Sequence, residues 1–305
     1  MISEKQHMIK NITVVCLLFA AVVFCKKEAS VANVRPANDS IAKNETKEDQ
    51  YKPIDTVCSS ENKTEDYITV LQWYRTKIDR EITGNSPEKN NKVYEDYLKI
   101  REKYTDCLNT SQAEILDKYI DYHTGPDTYN LPDNIKKIAA ELNKAGLEFR
   151  EMGEGLTEIH SLPGYYESVF KNKVTPDYAA YISQMAKDNK ENYAVNGGLL
   201  ITWEELGDRL IEWENFINKF PKSPLIKKAK ENYHSYLLDY LLGMDSDRIY
   251  DSEEGKIYDD KREAYNVLIK KYPNSATAKK TKELISAYDS HIPVDQIENK
   301  INLSR

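Results

Sequence analysis

The sequence predicts a mainly α fold: helical hairpins or a bundle, repeated helix pairs toward the C-terminus, and one short β-hairpin. Three observations predict it. Gly and Pro number only eleven each in 305 residues, while Lys and Glu are plentiful. Apolar residues recur at steps of three and four along most of the chain, the period of a one-sided helix. Helix start and stop residues bracket those stretches. Tyrosine is abundant, at 22 residues.

The first element is an apolar run of fourteen residues, Ile12 to Cys25, preceded by Lys10 and followed by "KKEAS". A membrane-spanning helix needs about 20 residues, so the run has the proportions of a secretory signal. It ends at a cysteine and lacks an Ala-x-Ala cleavage site. Val22, Val23, Phe24 and Cys25 stand in lipobox order, and "CKKE" follows. The segment resembles a bacterial lipoprotein signal of the Bacteroidota type, although Phe24 stands where that family usually has a small residue. The resemblance implies diacylglycerol on the Cys25 thiol, removal of residues 1–24, and a bacterial cell-envelope protein lipid-anchored to the membrane, the outer one by preference. An ordinary cleaved signal and a retained N-terminal anchor are the alternatives. Residues 25–55 have few large apolar groups and no periodicity, as in a flexible tether.

Loss of residues 1–24 leaves 41 Lys and Arg against 49 Asp and Glu, a net charge of −8. An acidic chain argues against a nucleic-acid partner. Four cysteines reduce to Cys58 and Cys107 once Cys16 leaves with the signal and Cys25 is lipidated. An even pair in an exported chain suggests a disulfide; two separate thiols are the alternative.

Residues 56–200 read as a helical domain. Tyr67, Leu71, Tyr74, Ile78 and Ile82 make one apolar face, and Gly84 ends it. Ser86 caps a second helix with Pro87 at its first position, and Val93, Tyr97, Ile100, Tyr104 and Cys107 form the facing stripe. So short a turn requires antiparallel helices, which brings Cys58 and Cys107 to the same end. "SQAE" at Ser111 reads as a capping box opening a third helix toward Gly125. A helix from about 134 to 145 stops at Gly146. Residues 147–161 alternate around Gly153-Glu154-Gly155 and read as a β-hairpin, expected to be the one sheet in the chain. Helices follow at about 165–171 and 176–193.

Residues 201–290 contain an internal repeat at an offset of 52 residues. Phe220-Pro221-x-Ser223 matches Tyr272-Pro273-x-Ser275, and Lys227-Lys228 matches Lys279-Lys280. In each unit a helix should end at the aromatic, because Pro disfavours helix in the residue before it. The serine should then cap the next helix. Thr202 with Glu205 forms a capping box for the first. These units resemble tetratricopeptide-like repeats, especially the "(Phe/Tyr)-Pro-x-Ser" helix pairs of outer-membrane assembly lipoproteins. The resemblance covers under a third of the chain and implies a scaffold that binds a protein or peptide partner in the envelope. Residues 291–305 are read as a tail.

No H-E-x-x-H, G-x-S-x-G, C-x-x-C or P-loop pattern occurs, and no cofactor is implied. Three weaker constellations remain. Glu154, Glu158 and His160 sit on or beside the hairpin, and residues two apart on a strand face one side. They suit a metal or an acid/base pair; a solvated edge with a packed histidine is the plainer interpretation. Asp245, Asp247 and Asp251 offer oxygen ligands for calcium. Against that, Ile249, Tyr250 and Lys256 break the EF-hand spacing, and a solvated loop fits as well. Trp203, Trp213, Tyr165, Tyr166, Tyr178 and Tyr181 form an aromatic set able to stack on a ligand or fill a core; Trp213 and Tyr178 fall in core stripes, which leaves Tyr165, Tyr166 and Trp203 as the ligand candidates. The sequence therefore favours a cell-envelope binding or scaffolding lipoprotein. The alternative is an envelope hydrolase or glycan-processing protein using the Glu154/Glu158/His160 region.

Overall fold

The computed structural model describes residues 58–59, 62–125 and 128–303; the expected signal, Cys25 and the tether lie outside the described residues. Helices α1 (Thr64–Gly84) and α2 (Pro87–Ser111) form the expected hairpin. Ser86 accepts from the Lys89 amide, with Pro87 behind it. Tyr67, Leu71, Ile78 and Ile82 on α1 are buried, as are Tyr97, Tyr104 and Cys107 on α2. Cys58 and Cys107 are disulfide-bonded, with Cα atoms 5.0 Å apart across 49 residues. The bridge holds the chain entering α1 against α2, where the Tyr67 hydroxyl also donates to the Ser59 carbonyl.

The next stretch differs from expectation. α2 continues through Ser111, whose hydroxyl donates back to the Leu108 carbonyl and so makes no capping box. Only a short helix follows, α3 (Ala113–Asp117), then a 3-10 turn (Tyr119–Tyr122). Strands β1 (His123–Gly125) and β2 (Thr128–Tyr129) pair next. α4 (Asp133–Lys144) ends as predicted: Gly146 takes φ +73°, the left-handed geometry that suits glycine. β3 (Leu147–Gly153) and β4 (Leu156–Ser161) form the predicted hairpin, Phe149 opposite Ile159. α5 (Tyr165–Phe170) and α6 (Pro176–Asp188) follow, α6 ending five residues before the expected boundary.

β5 (Ala194–Val195) and β6 (Gly198–Leu199) are joined by Asn196-Gly197, at φ +53° and +70°. Two positive φ values in a two-residue turn match the right-handed twist of paired strands. α7 (Trp203–Lys219) opens on the predicted Thr202/Glu205 capping box and packs against α8 (Ile226–Leu242). β7 (Tyr250–Asp251) and β8 (Lys256–Ile257) then close a turn in which Asp251 Oδ1 accepts from the Glu253 and Glu254 amides. α9 (Asp259–Lys271), α10 (Ala276–Asp289) and α11 (Val294–Lys300) complete the chain. The described residues thus hold four two-stranded antiparallel sheets, not one. The three extra sheets have strands too short to show a period of two.

The two repeat units share their turn. Phe220 ends α7 at φ −126°, ψ 55°, and Tyr272 ends α9 at φ −131°, ψ 57°. In both, the serine amide three residues on donates to the aromatic residue's carbonyl. The caps differ. Ser275 accepts from the Ala278 amide as expected. Ser223 donates its proton to Asp177 and accepts only from Leu225, so α8 starts at Ile226.

Two apolar clusters organise the interior. One joins α7 to α11 through Leu206, Leu210, Tyr240, Tyr265 and Leu284. The other joins α1, α2, α5 and α6 to Trp213 and Phe216 of α7, crossing the boundary expected near 200. Tyr233 and Tyr236 of α8 pack against both. Tyrosine supplies much of this interior: Tyr265 donates to the Tyr240 carbonyl at 2.8 Å, and Tyr97 meets Tyr165 at 2.5 Å, while the Tyr240 hydroxyl is buried without a hydrogen-bond partner among the described residues. The region of the expected tail packs too, with Ile297, Ile301 and Leu303 buried. No helix among the described residues is long and apolar enough to cross a membrane.

Candidate functional site

The β3–β4 hairpin carries the strongest candidate site. Register places Arg150 opposite Glu158 and Glu148 opposite His160. Alternation along each strand puts all four side chains on one face. They pair along the strands: Arg150 Nη2 lies 2.6 Å from Glu148 Oε1, and His160 Nε2 lies 2.7 Å from Glu158 Oε2. A proton on His160 Nε2 donates to that carboxylate. Arg150, Glu158 and His160 border a cleft of about 400 Å³ between the hairpin and α2. Glu102 and Asp106, one turn apart on α2, line the facing wall, and Tyr166 of α5 closes one side. Asn109 fixes the two walls together. Its amide accepts from the Ile159 N–H at 2.6 Å and donates to the Ile159 carbonyl at 3.2 Å, standing in for a neighbouring strand.

Behind the cleft lies Arg101, with no exposed surface. Its guanidinium donates to the carbonyls of Ala145 (2.9 Å) and Gly146 (3.0 Å) and to the Ser161 hydroxyl (3.3 Å). It also stacks 3.8 Å from the Tyr165 ring centroid, a cation–π contact strengthened by desolvation. The Tyr165 ring in turn fills the space over Gly146, where a Cβ would come within 2.0 Å of it. No carboxylate among the described residues pairs with this buried cation, so backbone dipoles and ring faces carry its charge. Burial pushes the Tyr97 and Tyr166 phenols above their ordinary values, and Arg101 pulls both partly back. At neutral pH both are therefore hydrogen-bond donors.

The other predicted residues fall elsewhere. Glu154 is exposed in the hairpin turn at φ +54° and does not line the cleft, so the expected trio reduces to Glu158 and His160. Tyr165 is buried as the ring on Arg101, and only Tyr166 of the aromatic set reaches the cleft. Trp203 is 5% exposed, packed on Tyr240 and under the Lys261 ammonium at 4.0 Å, so it is a core residue and not a ligand platform. Two of the three calcium candidates are engaged elsewhere. Asp247 pairs with Lys261 at 3.0 Å, and Asp251 spends an oxygen on its own turn. Among the described residues no group of three or more His, Cys, Asp or Glu side chains converges for a metal.

Three functional or organising residues escaped the sequence. Arg101 and Asn109 belong to no motif in the sequence; only Arg101 is in phase with the Tyr97/Tyr104 stripe. Glu214 on α7 is buried because its carboxylate accepts from the Ala276 and Thr277 amides of α10 at 2.6 and 2.9 Å. It satisfies the start of a helix 62 residues away, which no local pattern announces. The fold and cleft thus define a mainly helical protein with a polar cleft beside a small hairpin. Comparison with protein-family models, curated proteins and solved structures finds no match.

Proposed function

We propose that this chain is a lipid-anchored cell-envelope protein that binds or scaffolds a partner through tetratricopeptide-like helix pairs in α7–α10. The repeated backbone geometry at Phe220 and Tyr272 carries the reading. It is what two copies of one helix–turn–helix unit would share, and α9 packs against α7 as successive units of such an array do. Two units fall short of the roughly three that an isolated array needs. Here α5 and α6 cover the open side through Trp213 and Phe216.

The anchor is tested by intact mass and membrane fractionation of the native protein beside Cys25→Ala. Acyl mass at Cys25, and release of the variant from the membrane, support the reading. A mature chain that begins elsewhere without lipid refutes it. Binding is tested by placing photo-crosslinkers at exposed Lys227, Glu231, Lys279 and Glu283, with Lys103 on α2 as control. A discrete adduct from the α8 and α10 positions only is expected; equal labelling at Lys103 counts against the helix pairs.

A second reading is favoured by the Glu158–His160 pair at 2.7 Å in the cleft. It is the geometry of an acid/base couple and suits an envelope hydrolase or glycan-processing protein. Loss of turnover in His160→Ala, with folding intact, would support it.

A further inference from the structure

The cleft beside the hairpin has a chemistry that neither helix-pair binding nor acid/base catalysis specifies. Its volume of about 400 Å³ falls within the rough range of small-ligand sites, 300–1,000 Å³. Such sites are usually mostly apolar, but here only Leu98 and Ile159 are. The remaining lining is polar, and much of it is held rigid. Arg150 is fixed by Glu148, and His160 by Glu158. Tyr166 is set edge-on to Tyr97 and Tyr94 at 76° and 90°. Carboxylate and guanidinium forks offer paired acceptors and paired donors. Adjacent hydroxyls, each donor and acceptor at once, complement them.

Charge narrows the ligand further. Arg150 and His160 already face carboxylates, so neither is a free cation for an acidic group. Glu102 and Asp106 are exposed on α2 and form no ion pair among the described residues. With Glu158 they give the cleft a negative potential, which a concave wall focuses.

We propose that this cleft binds a short saccharide, neutral or amine-bearing, and discriminates against acidic sugars. The inference rests on the second reading in taking this cleft as the working site, but it requires no bond to be cut.

The test is calorimetric titration of the full-length, detergent-solubilised protein with four probes: N,N′-diacetylchitobiose, its deacetylated diamine, a glucuronic-acid disaccharide and tetralysine. Both non-acidic disaccharides bind at millimolar concentration. The diamine is tighter by roughly two- to fivefold for each exposed carboxylate it meets, and that margin shrinks with salt. Glu102→Gln with Asp106→Asn cuts the margin between the diamine and diacetylchitobiose to the part that Glu158 supplies. Both positions are on the helix surface, so an unchanged circular-dichroism melt verifies folding. The proposal is overturned if no disaccharide binds, if the acidic one binds as well as the diamine, or if tetralysine alone binds. A release assay for monosaccharide separates the two ideas. Binding without release upholds the saccharide site and removes the hydrolase reading. Release of product from another substrate, with no saccharide binding, does the reverse.

Discussion

Glu214 gives the sharpest test of how the helix pairs are joined. An α-helix begins with four N–H groups that lack intrahelical acceptors. At α10 all four are answered. Ser275 N–H reaches the Tyr272 carbonyl, and the Ala278 amide reaches Ser275 Oγ at 2.9 Å. Glu214 takes the Ala276 and Thr277 amides. In Glu214→Ala, water replaces the acceptor at exposed Ala276 but not at Thr277, which has no exposed surface. The Thr277 hydroxyl keeps Tyr233 at 3.1 Å. One stranded buried N–H costs about 1–3 kcal/mol, and loss of an anion at a partly buried helix start adds about 1 kcal/mol. We expect about 3 kcal/mol in all. Glu214→Gln keeps one acceptor and should lose roughly half of that. Urea titration should show a midpoint lower by about 1 M at unchanged slope. Hydrogen exchange should quicken first in α10. Coincident midpoints for Glu214→Ala and wild type would refute the reasoning.

Three other outcomes follow from the same geometry. Asp188 accepts from Trp213 Nε1 and Gln184 Nε2 at 2.8 and 2.9 Å, but burial dominates and raises its carboxyl above the ordinary value. Its contribution to stability is therefore full below the unfolded value near 3.9 and is lost as pH rises through the raised one. Thermal melts from pH 4 to 7 should show Asp188→Asn gaining on wild type toward pH 7; parallel curves would contradict this. Cys58→Ser opens a loop spanning 49 residues, worth about 4 kcal/mol in the chain-entropy model; reductant should lower the wild-type melting temperature and leave the variant unmoved. Gly146→Ala combines a left-handed φ with a Cβ 2.0 Å from the Tyr165 ring, and should cost about 3 kcal/mol or more, measured by denaturant midpoint.

Much of this fold was legible because helices announce themselves locally. Ser86-Pro87, Thr202/Glu205, Gly146 and the aromatic-Pro-x-Ser turns each work within one helical turn. The α1 and α2 stripes were long enough to show their period. The small sheets were missed for want of length, although Asn196-Gly197 is a strong hairpin signal that stood in plain view. Ser111 misled because a hydroxyl can bond backward to the preceding turn as readily as forward. The site was half legible. Strand alternation placed Glu158 beside His160, but Glu154 belongs to the turn, where alternation stops. The opposite wall, with Glu102 and Asp106, comes from a helix more than fifty residues earlier. Trp203 was misplaced because a capping box identifies where a helix starts and not which way its first residue faces.

The tyrosine-built interior sets an alkaline limit on this protein. Burial, the leading cause at each, pushes the phenols of Tyr94, Tyr97, Tyr166, Tyr181, Tyr233, Tyr236, Tyr240 and Tyr265 above the ordinary value of 10. Tyr236 is raised to about 12. Below pH 10 these groups are protonated whether the chain is folded or not, and their contribution is complete. Above it the unfolded chain sheds protons that the folded one retains. Each such phenol then removes stability with a slope of about 1.4 kcal/mol per pH unit, until its own folded value is reached. Eight slopes of one sign act together, so unfolding in base should be abrupt. A core of leucine and phenylalanine would leave no such mark on the titration curve.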